Sequence, residues 1–213
     1  MTCLLITGWR THGKDTVLED LIHEQFHKNW IVLTKRNPDK SVLSWQGCAN
    51  WTHLSFAKAL KEYVNDLHGL PPTTPKDAVL PFLIEDCSTY RELLVLEGEN
   101  ARQKDPYYWC KQAFFGPLNN KNWDSNPRPI CITDWRNINE FNFVQEWMKQ
   151  KRPFSKVVTA RVFRDKAVVP SEEEKTEHTL DDVLTDCLIL PRDGFHRSYN
   201  LALEHFPQYD EYL

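Results

Sequence analysis

The sequence predicts an α/β fold: a parallel sheet covered by helices on both faces. Two observations carry this. Short apolar runs of strand length alternate with amphipathic stretches of helical spacing along the 213-residue chain. The strand-like runs are apolar throughout, as strands buried on both faces must be. In such sheets ligands bind beyond the C-terminal ends of the strands, so the residues that follow each strand are the ones to read for function.

Composition bounds the rest. Hydrophobic residues make up 41% and charged residues 26%, which supports a real core and excludes disordered and collagen-like classes. With 26 Lys plus Arg against 30 Asp plus Glu the net charge is −4, so there is no general pull on nucleic acid, while a local basic pocket for a small anion is allowed. The apolar run 78–84 already holds a proline, and the sequence predicts neither a bilayer span nor a signal peptide. The six cysteines have no C-x-x-C spacing and read as buried, reduced thiols of a cytoplasmic protein. The length suits a single domain over 1–213.

Taken in order, residues 2–7 form an apolar central strand. Residues 16–28 carry Val17, Leu18, Leu21, Ile22 and Phe26 at helical spacing, and 30–34 read as a second strand. Residues 35–52 are polar and irregular; 53–56 read as a strand and 57–67 as a helix. Four prolines make 70–81 a loop. Residues 89–99 are a helix, and Asp105-Pro106 reads as the cap and first position of another that runs to about 115. A polar turn region, 116–129, precedes a buried strand at 129–133. A helix at 139–149, a strand at 156–163, a charged stretch at 165–179, a strand at 186–190 and an aromatic tail complete the chain.

The first strand leads into Gly8-Trp9-Arg10-Thr11-His12-Gly13-Lys14-Asp15-Thr16, a G-x-x-x-x-G-K loop between strand and helix. Glycines let the backbone curl so that successive N–H groups face a phosphate, and the following helix adds its positive end. Lys14 is placed to reach the β- and γ-phosphates of ATP. Gly8, Arg10, His12, Gly13, Lys14, Asp15 and Thr16 are thus the candidate nucleotide contacts. Asp15 stands where a hydroxyl residue usually follows the lysine, and can serve Mg²⁺ directly or through water. No Thr-Lys-x-Asp guanine-reading run follows. A kinase of small anionic substrates is the leading class, and such a substrate calls for arginines at the strand ends. The run Ile132-Thr133-Asp134-Trp135-Arg136 answers: Asp134 can hold magnesium through water, and Arg136 can pair with a phosphate. Glu140 is either a first-turn helix acid or a group that orients Arg136.

On these residues the chain resembles the deoxynucleoside monophosphate kinases of phages and large DNA viruses. The resemblance spans residues 3 to about 190. It rests on Gly13-Lys14-Asp15-Thr16, Phe56-Ala57-x-x-Leu60-Lys61, Arg91-Glu92-Leu93-Leu94 and Gly98-Glu99. Arg102, Asp105-Pro106, Trp109, Asp134-x-Arg136-x-x-Asn139-Glu140 and Thr176-Glu177-x-x-Leu180-Asp181-Asp182 follow in order. Each later piece is weak alone; the order and spacing are specific. Animal phosphomevalonate kinases are similar too, but Asn137 stands where they carry a second arginine.

The resemblance implies a P-loop NTPase fold with a helical substrate region over about 57–115 and a lid over about 164–179. It implies ATP and Mg²⁺, a role in deoxynucleotide biosynthesis, and phosphorylation of a deoxynucleoside 5′-monophosphate. Arg91 and Arg102 would grip the acceptor phosphate with help from Lys61 and Arg136. Lys14, Asp15, Arg136 and a lid arginine, Arg164 rather than Arg161, would be catalytic, with Asp15 and Asp134 at the metal. Read from the residues alone, Arg91 fits surface charge, Trp109 fits core as well as base stacking, and 165–179 fits a solvated loop. Glu97 and Asn100 depart from the family pattern, so no base preference carries over. The expected partners are small molecules, with no stable nucleic acid and no membrane; a homodimer is compatible with the sequence. A phosphomevalonate kinase and a non-catalytic nucleotide-binding module are the competing readings.

Overall fold

The computed structural model describes residues 2–35, 48, 50–84, 86–116, 128–153, 155–165, 169–171 and 178–212, with 81–83 as backbone only. Its elements begin β1 Thr2–Thr7, α1 Lys14–Ile22, α2 Phe26–Asn29, β2 Trp30–Thr34, β3 Thr52–Leu54 and α3 Phe56–His68. They continue β4 Val79–Ile84, β5 Cys87–Thr89, α4 Tyr90–Lys104, α5 Tyr108–Phe115, β6 Ile130–Ile132 and α6 Ile138–Lys151. The chain ends with β7 Lys156–Val162, β8 Cys187–Pro191, α7 Phe195–His205 and a 3₁₀ turn at Pro207–Tyr209. It divides into two compact units, Met1–Leu54 with Asn122–Leu213, and Ser55–Lys121. The polar stretches 35–52 and 116–129 fall largely outside the described residues, as do Thr176 and Glu177 and most of 165–179.

The first unit holds a six-stranded sheet in the order β2-β8-β7-β1-β6-β3. Every residue of the central β1 is buried, which is why its sequence runs apolar without alternation. β3, β6, β1, β7 and β8 run parallel. The sheet is nevertheless mixed, which corrects the all-parallel expectation. β2 pairs antiparallel with β8, Trp30 opposite Pro191 and Thr34 opposite Cys187. The cause is a break in the expected helix over 16–28, which if continuous would carry the chain about 20 Å toward the far edge of the sheet. Instead α1 stops at Ile22, Glu24 takes φ 58°, and the chain returns through α2 to start β2 beside the end of β8. Register and direction leave no mark in local periodicity, so sequence reading missed the reversal.

Side chains alternate across the sheet. Leu4, Ile6, Cys131, Val158, Ala160 and Val162 pack on one face with Val17, Leu18 and Leu21 of α1. Leu188 and Leu190 pack on the other with Ala202 and Phe206, joined by Tyr209 and Tyr212.

Among the described residues the second unit holds α3, α4, α5 and the small hairpin of β4 and β5. Its core joins Val64, Leu80, Tyr90, Leu93 and Leu94. The Tyr90 hydroxyl donates to Asn65 Oδ1 at 2.8 Å, and His68 pairs with Glu97 at 2.9 Å. Thr89 and Glu92 form a reciprocal capping box that starts α4, and the helix runs to Lys104, beyond the expected 99. Of the expected loop 70–81, residues 70–78 are irregular and turn as expected, and only its last three residues belong to β4, which pairs antiparallel with β5. In a two-stranded sheet each strand has an open edge, so a proline at position 81 is tolerated. Asp105 closes α4 instead of opening α5: its N–H reaches the Ala101 carbonyl, its Oδ1 accepts from the Tyr107 N–H, and α5 starts at Tyr108.

Among the described residues no helix is long and apolar enough to cross a membrane. No disulfide joins the cysteines.

Candidate active site

Two adjacent parallel strands, β1 and β7, define a switch point. The next parallel strand after β1 lies on the β6 side, and the next after β7 lies on the other. Crevices at such points are where open α/β sheets bind ligands. The chain leaves β1 against the end of β7. A methyl group on residue 8 would stand 2.5 Å from the Val162 carbonyl oxygen, and Gly8 has φ 145°, so only glycine passes. The loop then curls through Thr11 at φ 68° and Gly13 at φ 88°. A β-branched residue at positive φ is strained by about 1–3 kcal/mol, a cost retained where a loop's shape matters. The Lys14 ammonium folds back to donate to the Gly8 and Trp9 carbonyls at 2.6 and 2.9 Å. The N-cap of α1 is Gly13, which has no side chain to cap the helix. Arg10, Asp15 and Thr16 are exposed at the loop surface.

The underside of the loop is fixed by rings. His12 is 1% exposed, 3.1 Å from the Val162 oxygen through Nδ1, and meets Trp9 and Phe163 edge to face. Burial first, then the nearby charges of Lys14, Arg161 and His205, lower its pKa to about 4 against the pull of the Val162 bond. His12 is therefore neutral and donates its Nδ1 hydrogen to Val162. The Trp9 indole N–H donates to Asp181 Oδ1 at 2.9 Å. Asp181 also holds His178 at 2.6 Å, and the buried Arg161 lies 3.4 Å from the same oxygen that Trp9 uses. Arg161 further bonds the Tyr209 hydroxyl and the Leu180 carbonyl and lies over the Phe206 ring. The hydrogen bond to Asp181 raises the His178 pKa above its ordinary value.

The strand end of β6 brings the acidic groups in. Thr133 donates its hydroxyl hydrogen to Asp15 Oδ1 at 2.9 Å. Asp134 is half-buried beside it. Burial drives the Cys131 thiol pKa up, and the neighbouring Cys3, Asp15 and Asp134 add to the rise. Trp135 is 1% exposed and donates to the Asn137 carbonyl, pinning the turn that carries Arg136. Glu140 takes the place of a first-turn helix acid. It completes a capping box with Asn137, and its Oε2 accepts the Arg136 N–H at 2.9 Å. Burial raises its pKa while these donors oppose the rise. Among the described residues no cluster of three or more His, Cys, Asp or Glu is assembled for a metal. Magnesium that rides on a nucleotide's phosphates needs only one or two carboxylates, so Asp15 and Asp134 fit that demand.

Arg164 stands two residues past β7, half-buried, where topology brings it to the loop. A methyl on residue 13 would lie 3.1 Å from its Cδ and 3.2 Å from its Nη1. Its guanidinium sits 5.8 Å from the Trp30 ring centroid, and Asp20 holds that indole N–H at 2.7 Å. Within 164–179 the described residues are 164, 165, 169–171, 178 and 179. Asp165 pairs with Arg197 at 3.3 Å.

The remaining candidates lie in the second unit. Arg91 is exposed and donates Nε and Nη2 to Asp77 Oδ1 at 3.0 and 2.9 Å. Arg102 is half-buried near Gly98, and a methyl there would stand 3.5 Å from its Nη1. Both arginines share a face of α4, separated by three turns and about 16 Å of helix. Lys61 is half-buried on α3. Trp109 is 3% exposed and donates its indole N–H to the Gly98 carbonyl at 3.1 Å, with Tyr63 and Tyr108 edge-on to its ring. It fills core.

Sequence reading did not single out Thr133, His53, Trp30 or Asp181 as site residues. The Asp15–Thr133 bond spans 118 positions and the Trp9–Asp181 bond 172, and neither has a local signal. No protein-family model matches the chain, and no curated protein matches it.

Proposed function

We propose that this chain is a P-loop kinase that transfers the γ-phosphoryl group of ATP to a deoxynucleoside 5′-monophosphate in the cytoplasm. One observation carries the reading. A strained, uncapped loop bearing Lys14 lies at the switch point of an α/β sheet, and the next strand end supplies Asp134 and Arg136. The loop N–H groups and the start of α1 would cradle the donor phosphates. Lys14 exchanges its carbonyl partners for phosphate oxygens. Asp15 and Asp134 would hold Mg²⁺, which neutralises charge on the phosphates. Arg136, its backbone fixed by Glu140, would bind acceptor phosphate; the same role for Arg102, Arg91 and Lys61 is what the resemblance implies.

An oxygen of the acceptor phosphate attacks the γ-phosphorus in line, and ADP departs with the bond it held. No covalent enzyme intermediate is needed, and the attacking oxygen is already anionic, so no strong base is required. Arg164, beside Gly13, would neutralise charge that develops on the transferred group.

A coupled ADP-release assay with dTMP, dGMP, dCMP, dAMP and phosphomevalonate in parallel tests the reading. Turnover with one or more deoxynucleotides supports it. Turnover with phosphomevalonate alone assigns the competing kinase, and ATP binding without any acceptor-dependent turnover reduces the chain to a binding module.

A further inference from the structure

The position after the P-loop lysine usually carries a hydroxyl for the metal. Here it carries Asp15, and a hydroxyl reaches Asp15 from Thr133, the residue that follows β6. The register explains how. β3 runs parallel to β6 with His53 opposite Cys131 and Leu54 opposite Ile132. Side chains alternate, so His53, Cys131 and Thr133 share one face. Cys131 packs in the cluster that holds Leu4 and the buried side of α1, so this is the α1 face, and Asp15 is the second residue of α1. Three elements thus converge on Thr133, which is 3% exposed.

The hydrogens can be counted. A threonine hydroxyl has one hydrogen, and Thr133 spends it on Asp15 Oδ1 at 2.9 Å. His53 Nε2 lies 3.1 Å from the same hydroxyl oxygen. That oxygen can then only accept, so His53 must carry its hydrogen on Nε2. The bonds run in one direction, from His53 to Thr133 to Asp15. The relay commits one carboxylate oxygen and leaves Oδ2 for other partners. It also ties the first turn of α1 to two parallel strands.

We propose that Thr133 and His53 are positioning residues that set the rotation of the Asp15 carboxylate for magnesium-dependent ATP binding. The inference rests on the kinase reading, and its claim concerns the chain's own hydrogen bonds.

The experiment is a magnesium titration of ATP binding without acceptor, followed by tryptophan fluorescence, together with ¹⁵N spectra of labelled histidine in the unliganded protein. Wild type should show His53 with its hydrogen on Nε2, and Thr133→Val should lose that signature. Thr133→Val should raise the magnesium needed for half-maximal ATP binding by about tenfold, the scale of one hydrogen bond to a charged group. Thr133→Ser, which keeps the hydroxyl, should restore it. In an Asp15→Ala background Thr133→Val should add nothing, because Thr133 acts through Asp15. His53→Ala should move the titration in the same direction by a smaller factor.

A wild-type titration in Thr133→Val overturns the relay and leaves the kinase reading standing. An equal tenfold effect in the Asp15→Ala background also overturns it, since Thr133 would then act on its own. A wild type that binds no MgATP overturns the kinase reading and the positioning role together. Should Thr133→Val fail to fold, the Thr133→Ser and His53→Ala titrations with the histidine spectrum still decide: a His53 hydrogen on Nδ1 alone overturns the relay.

Discussion

His12 lies inside the loop at 1% exposure with a pKa lowered to about 4 from an ordinary 6.5. The unfolded chain takes up a proton near pH 6.5 and the folded chain does not until about pH 4. Above pH 6.5 the residue makes no pH-dependent contribution. Between 6.5 and 4 the unfolded state is favoured progressively, and below 4 the loss levels off. At 1.36 kcal/mol per unit the window amounts to about 3 kcal/mol. His12→Gln keeps a donor for the Val162 carbonyl but cannot titrate. It also loses the ring contacts with Trp9 and Phe163, so it should be less stable at pH 8, by about 1 kcal/mol. Urea unfolding of both proteins at half-unit steps from pH 8 to 4 reads the difference in slope. His178 has the opposite sign: its raised pKa gives stability that is full below 6.5 and lost as pH climbs through the folded value. It is present in both proteins and cancels. The wild type should lose about 3 kcal/mol more than the variant between pH 6.5 and 4. Parallel curves would refute the buried, neutral imidazole and the loop packing built on it.

Three other outcomes are expected. Gly8→Ala should cost about 2–5 kcal/mol from positive φ and contact with the Val162 oxygen. Gly194→Ala, at φ 71° with nothing within 4 Å, should cost about 1–2 kcal/mol; thermal melts that rank them the other way contradict the account of the loop's entry. Lys14→Ala should abolish turnover and weaken ATP binding, and a near-normal kcat would remove the P-loop assignment. Arg164→Ala should lower kcat by ~10³ while ATP Kd without acceptor stays within a few-fold, since the loss falls on the transition state. A wild-type rate for this variant would leave Arg164 as a stacking partner of Trp30 and no more.

What the sequence made legible was local. The strand over 2–7, the loop over 8–16 and the helix that follows are contiguous, and their spacing has a direct physical cause in backbone curvature and helix polarity. Arg164 was reachable by topology, because a residue just past a neighbouring parallel strand arrives at the same sheet edge. Glu140 was legible as a first-turn acid of a helix expected from 139, but only the fold shows Asn137 as its cap and Glu140 taking the Arg136 N–H. Other features had no local trace. The prolines marked the loop over 70–78 correctly, but the one at position 81 hid a strand whose open edge tolerates it, and nothing in 16–28 announced the reversal at Glu24. The relay through Thr133 depends on strand register between segments 80 positions apart. Trp109 showed the limit of composition: an aromatic near a helix start reads equally as stacking surface or as core until its burial is known.

The central claim is transfer of a phosphoryl group between two small molecules. Its most direct measurement is ³¹P NMR of the purified chain with ATP, magnesium and each deoxynucleoside 5′-monophosphate in turn. The account expects signals of a deoxynucleoside diphosphate and ADP to grow in equal amounts with at least one acceptor, with no inorganic phosphate and no lasting phosphoprotein signal. Inorganic phosphate growing in step with ADP, or spectra unchanged with every acceptor, would contradict it.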